Sequence, residues 1–517
     1  MANKNLFQSI WGNLVTQTNT LNNAGAPAYQ FSAKHALAQY AVTGCLNSTY
    51  YASAETQFKK IISFCDQVEP EFIARTALYC RERGFMKDIP ALLCAVLTVK
   101  SQTLFRQIFS RIIDNGKMLR NFAQIIRSGM VGRKSFGSLP KRLIREWLEA
   151  RDEDTIFRSS IGQNPSLADI IKMVHPHPRS EAREALYGYL IGRCYCAEAL
   201  PQLVKDFEAF KAGNTVALPD LPFQMLTAVN LSKQEWLIIA RNASWQMTRM
   251  NLNTFARHGV FEQSGLTDLI ANRLKDPKEI ARAHVFPYQL MAAFLMAGND
   301  IPELVRNALQ EAMEISLANV PKIEGKVFLC PDVSGSMSSP LTGYRKGATS
   351  RMRCIDVAAL VTAAIMRKNP TAEVLPFEQG VVKLYLNSGD SVITNATRLA
   401  SIGGGGTNCS APLASLNQRK AKGDMVIFIS DNESWVDASA TLGSATMRQW
   451  QKFKGRNPNA RLVCIDIQPN HTTQAAEGED ILNIGGFSDQ VFDVISEFAS
   501  GRLNANHWVG VIEAVEL

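Results

Sequence analysis

In Leu104-Phe105-Arg106-Gln107-Ile108-Phe109-Ser110-Arg111-Ile112-Ile113, apolar pairs return four positions apart with Arg106, Gln107 and Arg111 between them. That is the spacing of one buried helical face. The same period predicts helices over 71–82, 90–99, 119–126, 140–149, 167–174, 182–194 and 288–297. Pro90 and Pro140 suit a first helical position, where no backbone N–H is needed. From 55 to 320 such segments follow one another with short breaks and no strand-rich stretch between them. Stacked helix pairs of the HEAT kind are expected, although no strict repeat period is visible.

Near Pro321 the pattern changes. Short apolar runs at 327–330, 373–377, 425–429 and 462–467 read as buried strands, and they alternate with helical stretches at 352–367, 411–419, 445–453 and 489–498. Alternation of this kind predicts a doubly wound, mostly parallel sheet with helices on both faces. The chain of 517 residues exceeds a single core, and two domains are expected, a helical one over 1–325 and an α/β one over 326–517.

Composition narrows the class. With 46% hydrophobic and 20% charged residues the chain is of ordinary globular type. No apolar run reaches the roughly 18 residues of a membrane span. Met1-Ala2-Asn3-Lys4-Asn5 lacks the basic-then-apolar layout of a secretory signal, so a cytoplasmic protein without membrane partners is expected. The ten cysteines lie mostly inside apolar patterns, which is buried-thiol usage. Cys194 and Cys196 form a Cys-x-Cys without a second pair, which argues against zinc. The net charge of +8 is unevenly placed. Residues 1–325 hold 37 Lys and Arg against 29 Asp and Glu, whereas 326–517 hold 18 of each. Between 100 and 151, twelve basic residues face only Asp114, Glu146 and Glu149, a segment suited to a phosphate backbone.

Candidate chemistry concentrates after the first strand. Asp332, Ser334 and Ser336 alternate and so point one way in an extended loop. Thr407, after four glycines at 403–406, and Asp431, directly after another apolar strand, add two further oxygens. Oxygen donors without Cys or His suit Mg²⁺ or another hard divalent cation. Only two of the five are carboxylates, so a bound metal would stay electrophilic and could take water or an acidic group of a protein partner. The order Asp-x-Ser-x-Ser, then Thr, then Asp resembles the metal-ion-dependent adhesion site of von Willebrand factor A domains. The glycines have no Gly-Lys-Ser/Thr ending and are better read as letting the backbone bring Thr407 close.

The two parts together resemble the Ro autoantigen family, in which a helical TROVE module precedes a von Willebrand A domain. In the helical part the resemblance rests on Met86-Lys87-Asp88-Ile89-Pro90, Lys141-Arg142-Leu143-Ile144-Arg145-Glu146-Trp147, Ser166-Leu167-Ala168-Asp169-Ile170-Ile171-Lys172-Met173-Val174-His175 and Ala281-Arg282-Ala283-His284. In the second part it rests on Asp332-Val333-Ser334, Gly405-Gly406-Thr407 and Asp431-Asn432-Glu433. It implies a ring of HEAT-like helical repeats closed by the A domain, binding Y-like non-coding RNA outside and single-stranded 3′ ends of misfolded RNA in the hole. Bacterial relatives are similar to adaptors for RNA maturation, decay or repair, with an exoribonuclease such as polynucleotide phosphorylase as partner.

RNA contacts are then expected from Arg133 and Lys134 in a loop, from Lys141, Arg142 and Arg145 on the next helix, and from His175, Arg249 and His284. A solvated helix face is the plainer reading of any one of these basic residues alone. Trp147 reads as core, and His175 reads equally as a helix C-terminal cap. Met250 stands where the family pattern suggests a basic residue beside Arg249. The chain is expected to be no enzyme but a monomeric RNA-binding protein in a ribonucleoprotein. A magnesium-dependent protein-binding scaffold is the alternative. A metal-dependent hydrolase would need a placed base, and Glu433, the nearest spare acid, is better explained as supporting the metal ligands.

Overall fold

The computed structural model describes residues 15–517 apart from 45, 215–216, 227–228, 284, 286, 318–319, 321, 345–351, 437–442, 487 and 504–505. A run such as Val327-Phe328-Leu329-Cys330 has no polar face to give to water, and a strand made from it must be covered on both sides. Strand β3 (Val327–Pro331) is buried at every position, as are β5 (Met425–Ser430) and β8 (Ile481–Gly485). With β4 (Glu373–Val374) and β6 (Arg461–Asp466) they form a parallel sheet in the order β4-β3-β5-β6-β8. A second sheet, antiparallel, joins β1 (Thr20–Leu21), β2 (Pro27–Gln30) and β7 (Thr472–Thr473).

Two expectations for the sheet change. The strand expected over 373–377 is a regular ladder only at Glu373–Val374; beyond it Leu375 and Phe377 still donate to Leu329 and Pro331, Phe377 bridges Asp332, and Pro376 sits where the edge strand needs no N–H toward β3. Strand β8 was not expected, because Asn483 interrupts its apolar run. In the fold Asn483 is satisfied inside the core, accepting from the Thr473 hydroxyl at 2.9 Å and donating to the Ala475 carbonyl at 3.1 Å.

The helical unit contains Pro70–Glu82, Asp88–Lys100, Gln102–Ile112, Gly116–Ser128, Ser138–Glu149, Leu167–Val174 and Glu181–Ile191. Helix Asp88–Lys100 is buried on all sides from Ile89 to Thr98, since it packs against three neighbours, Pro70–Glu82, Gln102–Ile112 and Gly116–Ser128. Among these helices the rings of Phe105, Phe109 and Phe122 meet at 5.5 to 5.8 Å. Pro90 and Pro140 are not first residues: both helices begin two positions earlier, and each proline still lies in the first turn, where N–H groups lack intrahelical partners. The helix expected over 182–194 ends at Ile191, because Gly192 takes the left-handed conformation that closes a helix. Cys194 and Cys196 are consequently exposed, unlike the other described cysteines.

The compact units do not divide the chain at 325/326. The described residues up to Val68 pack with Ser316–Ala514, whereas Glu69–Val285 forms the core of the other unit. The α/β unit therefore includes N-terminal residues that the order of the chain assigned to the helical part. Among the described residues, no helix is long and apolar enough to cross a membrane.

Candidate metal centre and basic segment

The sheet order reverses at β3, with β4 on one side and β5 on the other, and the crevice at such a switch point lies at the strands' carboxyl ends. Asp332 leaves β3 there and Asp431 leaves β5. Their levels match because Pro331 pairs with Ile429 and the Asp332 N–H donates to the Ile429 carbonyl at 2.9 Å. Asp332 accepts from the Ser334 N–H at 2.8 Å and the Ser430 hydroxyl at 2.6 Å. The Ser334 and Ser336 hydroxyls are 3.2 Å apart, and Ser336 hydrogen-bonds Asp431. Burial, then the neighbouring Asp431, pushes the Asp332 carboxyl up to about 7, and burial also raises Asp431.

The glycine stretch brings Thr407 in. Gly335 N–H donates to Gly405 O and Gly404 N–H to Val333 O, each at 2.9 Å, so the two loops lie backbone to backbone. Thr407 is buried, and its carbonyl accepts from Trp435 and Val436, both 3.1 Å away, which ties it to the loop after Asp431. Gly403 has φ +90°, and a Cβ there would lie 2.0 Å from Val333 O. Gly403→Ala is therefore expected to cost about 2–4 kcal/mol through clash and backbone strain. Chemical denaturation checks it, and a loss under 1 kcal/mol would mean that the loop yields.

Direct contacts thus join Asp332, Ser334, Ser336 and Asp431, and Thr407 is held on the adjoining loop. No group of three His, Cys, Asp or Glu side chains is placed to hold a metal ion among the described residues, and two carboxylates with three hydroxyls need no such triple.

Sequence reasoning missed the residues behind this cluster. Asn23 donates to Glu433 Oε1 at 2.5 Å, the Ala24 N–H to Oε2 at 3.3 Å, and Asn22 to the Ser434 carbonyl at 2.8 Å. Burial and the nearby Asp431 push Glu433 up to about 8 against the Asn23 bond. Gln39 donates to buried Asp466 at 3.0 Å, and Lys60 Nζ lies 3.1 Å from His471 Nδ1. Burial, then Lys60, pushes His471 down to about 4. These partners lie some four hundred positions apart along the chain and share no local motif.

The expected RNA contacts separate into groups. Arg133 is spent within its loop, donating to the carbonyls of Ser135 (2.9 Å), Phe136 (2.7 Å) and Thr98 (3.3 Å). Arg145 donates to Val174 O at 2.6 Å, closing the helix Leu167–Val174. His175 caps that helix in the left-handed conformation with its side chain exposed. Arg142 is exposed and pairs loosely with Glu146 at 3.6 Å; Lys134 is exposed and Lys141 half-buried. Arg249 is half-buried beside exposed Met250, and His284 lies outside the described residues. Trp147 is core: it is buried, its indole N–H donates to Ile113 O at 2.6 Å, and the Arg151 guanidinium lies 3.7 Å over its ring.

Comparison with known proteins agrees with both units. The family profile of the Ro60 vWA domain matches residues 326–499. The RNA-binding protein RO60 of Deinococcus radiodurans is 23% identical over 93% of this chain and 95% of its own. The protein of the same name from Caenorhabditis elegans is 24% identical over 54% of this chain and 43% of its own. The crystal structure of the Deinococcus radiodurans RO (RSR) protein superimposes with a TM-score of 0.62 at 20% identity, covering 91% of this chain and all of that one. Residues 326–499, built around the cluster of Asp332 and Asp431, thus match the Ro60 vWA domain, and the chain along most of its length is similar to RO60 proteins in sequence and in fold.

Proposed function

We propose that the chain is a non-catalytic RNA-binding protein of RNA quality control. It takes Y-like small non-coding RNA and the single-stranded 3′ ends of misfolded or damaged RNA, and it presents them to an exoribonuclease such as polynucleotide phosphorylase. One observation carries this reading: of the twelve basic side chains between 100 and 151, Lys100, Arg106, Lys117, Arg127, Lys134 and Arg142 stand exposed on the helical unit. Exposed cations in excess attract a phosphate backbone without demanding a sequence. Relatives whose names state RNA binding support the same reading. Asp332, Ser334, Ser336, Thr407 and Asp431 would hold Mg²⁺, a hard cation that neutralises two adjacent buried carboxylates and accepts hydroxyl oxygens. Glu433, a spare acid beside them, is already engaged by Asn23 and Ala24.

Replacing Lys134, Lys141 and Arg142 together by alanine should weaken binding of a 3′-tailed RNA and lower the salt slope by about 0.7 per lost phosphate contact. Arg133→Ala should act instead through stability. Filter binding across a salt series measures both, and an unchanged slope in the triple variant places the RNA elsewhere. The same RNA with a blunt or circularised end should bind less tightly than the tailed form.

A further inference from the structure

The five oxygen-bearing side chains of the candidate centre are almost sealed: Asp332 is 0% exposed, Ser334 1%, Ser336 7%, Thr407 1% and Asp431 2%. A site that grips an acidic partner must leave its metal a path to that partner. Here the chain's own N-terminal segment lies against the cluster. The half-buried Tyr51 side chain lies beside Ser336 and near the carboxylates of Asp431, Glu433 and Asp332. Its segment is anchored on both sides: Asn47 donates to Thr342 O at 3.0 Å, the Tyr344 N–H to Ser48 O at 2.6 Å, and Gln57 to Asn47 O at 2.7 Å. The Tyr50 ring packs edge-on against Tyr51 at 4.8 Å. Asn22, Asn23 and Ala24 hold the loop after Asp431 from the same segment.

We propose that Tyr51 determines what the centre accepts: its side chain takes the approach an outside carboxylate would need, so a bound metal admits water but no acidic partner. The inference rests on the metal reading of the cluster. Two physical reasons favour it. A neutral phenol can sit beside carboxylates and hydroxyls without adding charge, whereas an incoming acid would meet Asp332, Asp431 and Glu433 in a dry site. The anchored segment also leaves little freedom for the ring to swing away. The same geometry disfavours the scaffold reading, in which the metal grips a partner's Glu or Asp.

The test uses the full chain, Mn²⁺ as the metal and acetate as the carboxylate probe. Loss of the free Mn²⁺ paramagnetic signal measures uptake, and Mn²⁺-induced broadening of the acetate methyl resonance measures access. Wild type should take up Mn²⁺ without broadening acetate beyond a metal-blocked Asp332→Asn control. Tyr51→Ala should take up Mn²⁺ comparably and broaden acetate several-fold, and Tyr51→Phe, which keeps the ring packing, should do so less. Mn²⁺ uptake with equal broadening in wild type and both variants overturns the role of Tyr51 and leaves the metal reading standing, as does uptake with broadening in none. Uptake by none of the three proteins overturns the metal reading and the proposal with it.

Discussion

Asp332→Asn is expected to remove divalent-cation binding and to leave the fold intact. The amide keeps the acceptor that the Ser334 N–H uses at 2.8 Å, and its NH₂ can donate to the Ser430 hydroxyl, now 2.6 Å from the carboxylate. Shape and hydrogen bonds survive, while one of two negative charges is lost. Changes outside the direct ligands already cost metal sites about 10–100-fold in affinity, so loss of a charged ligand should exceed about a hundredfold. The cation-free variant should also melt above cation-free wild type, because two buried carboxylates no longer face each other. RNA affinity should stay the same, since the exposed basic residues belong to the other compact unit. Calorimetric titration with Mg²⁺ and melting curves in a chelator read both effects. Undiminished Mg²⁺ affinity in the variant would disprove the assignment.

The second large effect is expected at Trp147. Its ring is buried, its N–H is satisfied by Ile113 O, and Arg151 stacks on it. Trp147→Ala should therefore cost about 3–5 kcal/mol, through lost burial and a residual cavity. The protein that remains folded should bind RNA as wild type does, because no face of the ring is offered to a base. Denaturant unfolding with RNA binding measured at low temperature separates the two. Full stability with weakened RNA binding would show instead that Trp147 stacks on a base.

The strands bearing Asp332 and Asp431 were legible because a strand covered on both faces writes its burial as an unbroken apolar run. Strand β8 was not, since Asn483 breaks the run and only the distant Thr473 and Ala475 reveal how its amide is satisfied. Helix existence was legible from period, and helix ends less so. Pro90 is tolerated anywhere in a first turn, and Gly192 ends its helix through a backbone angle that the apolar spacing does not encode. Arg133, Arg142 and Arg145 look alike in sequence. Carbonyls placed by the fold take the donors of Arg133 and the Nε–H of Arg145, while Arg142 stands exposed in a loose pair with Glu146.

The sequence by itself determined the order of helices and strands, the excess of basic charge in the first 325 residues, and the five oxygen-bearing residues of the candidate centre. Each is read from composition or from local spacing in the segments that carry it. Only the tertiary structure decided that the N-terminal segment packs with the α/β unit, that Asn23 holds Glu433, and that Tyr51 lies against Ser336. Such contacts join residues hundreds of positions apart through single hydrogen bonds. A side chain with a distant partner carries the same local pattern as one that faces water.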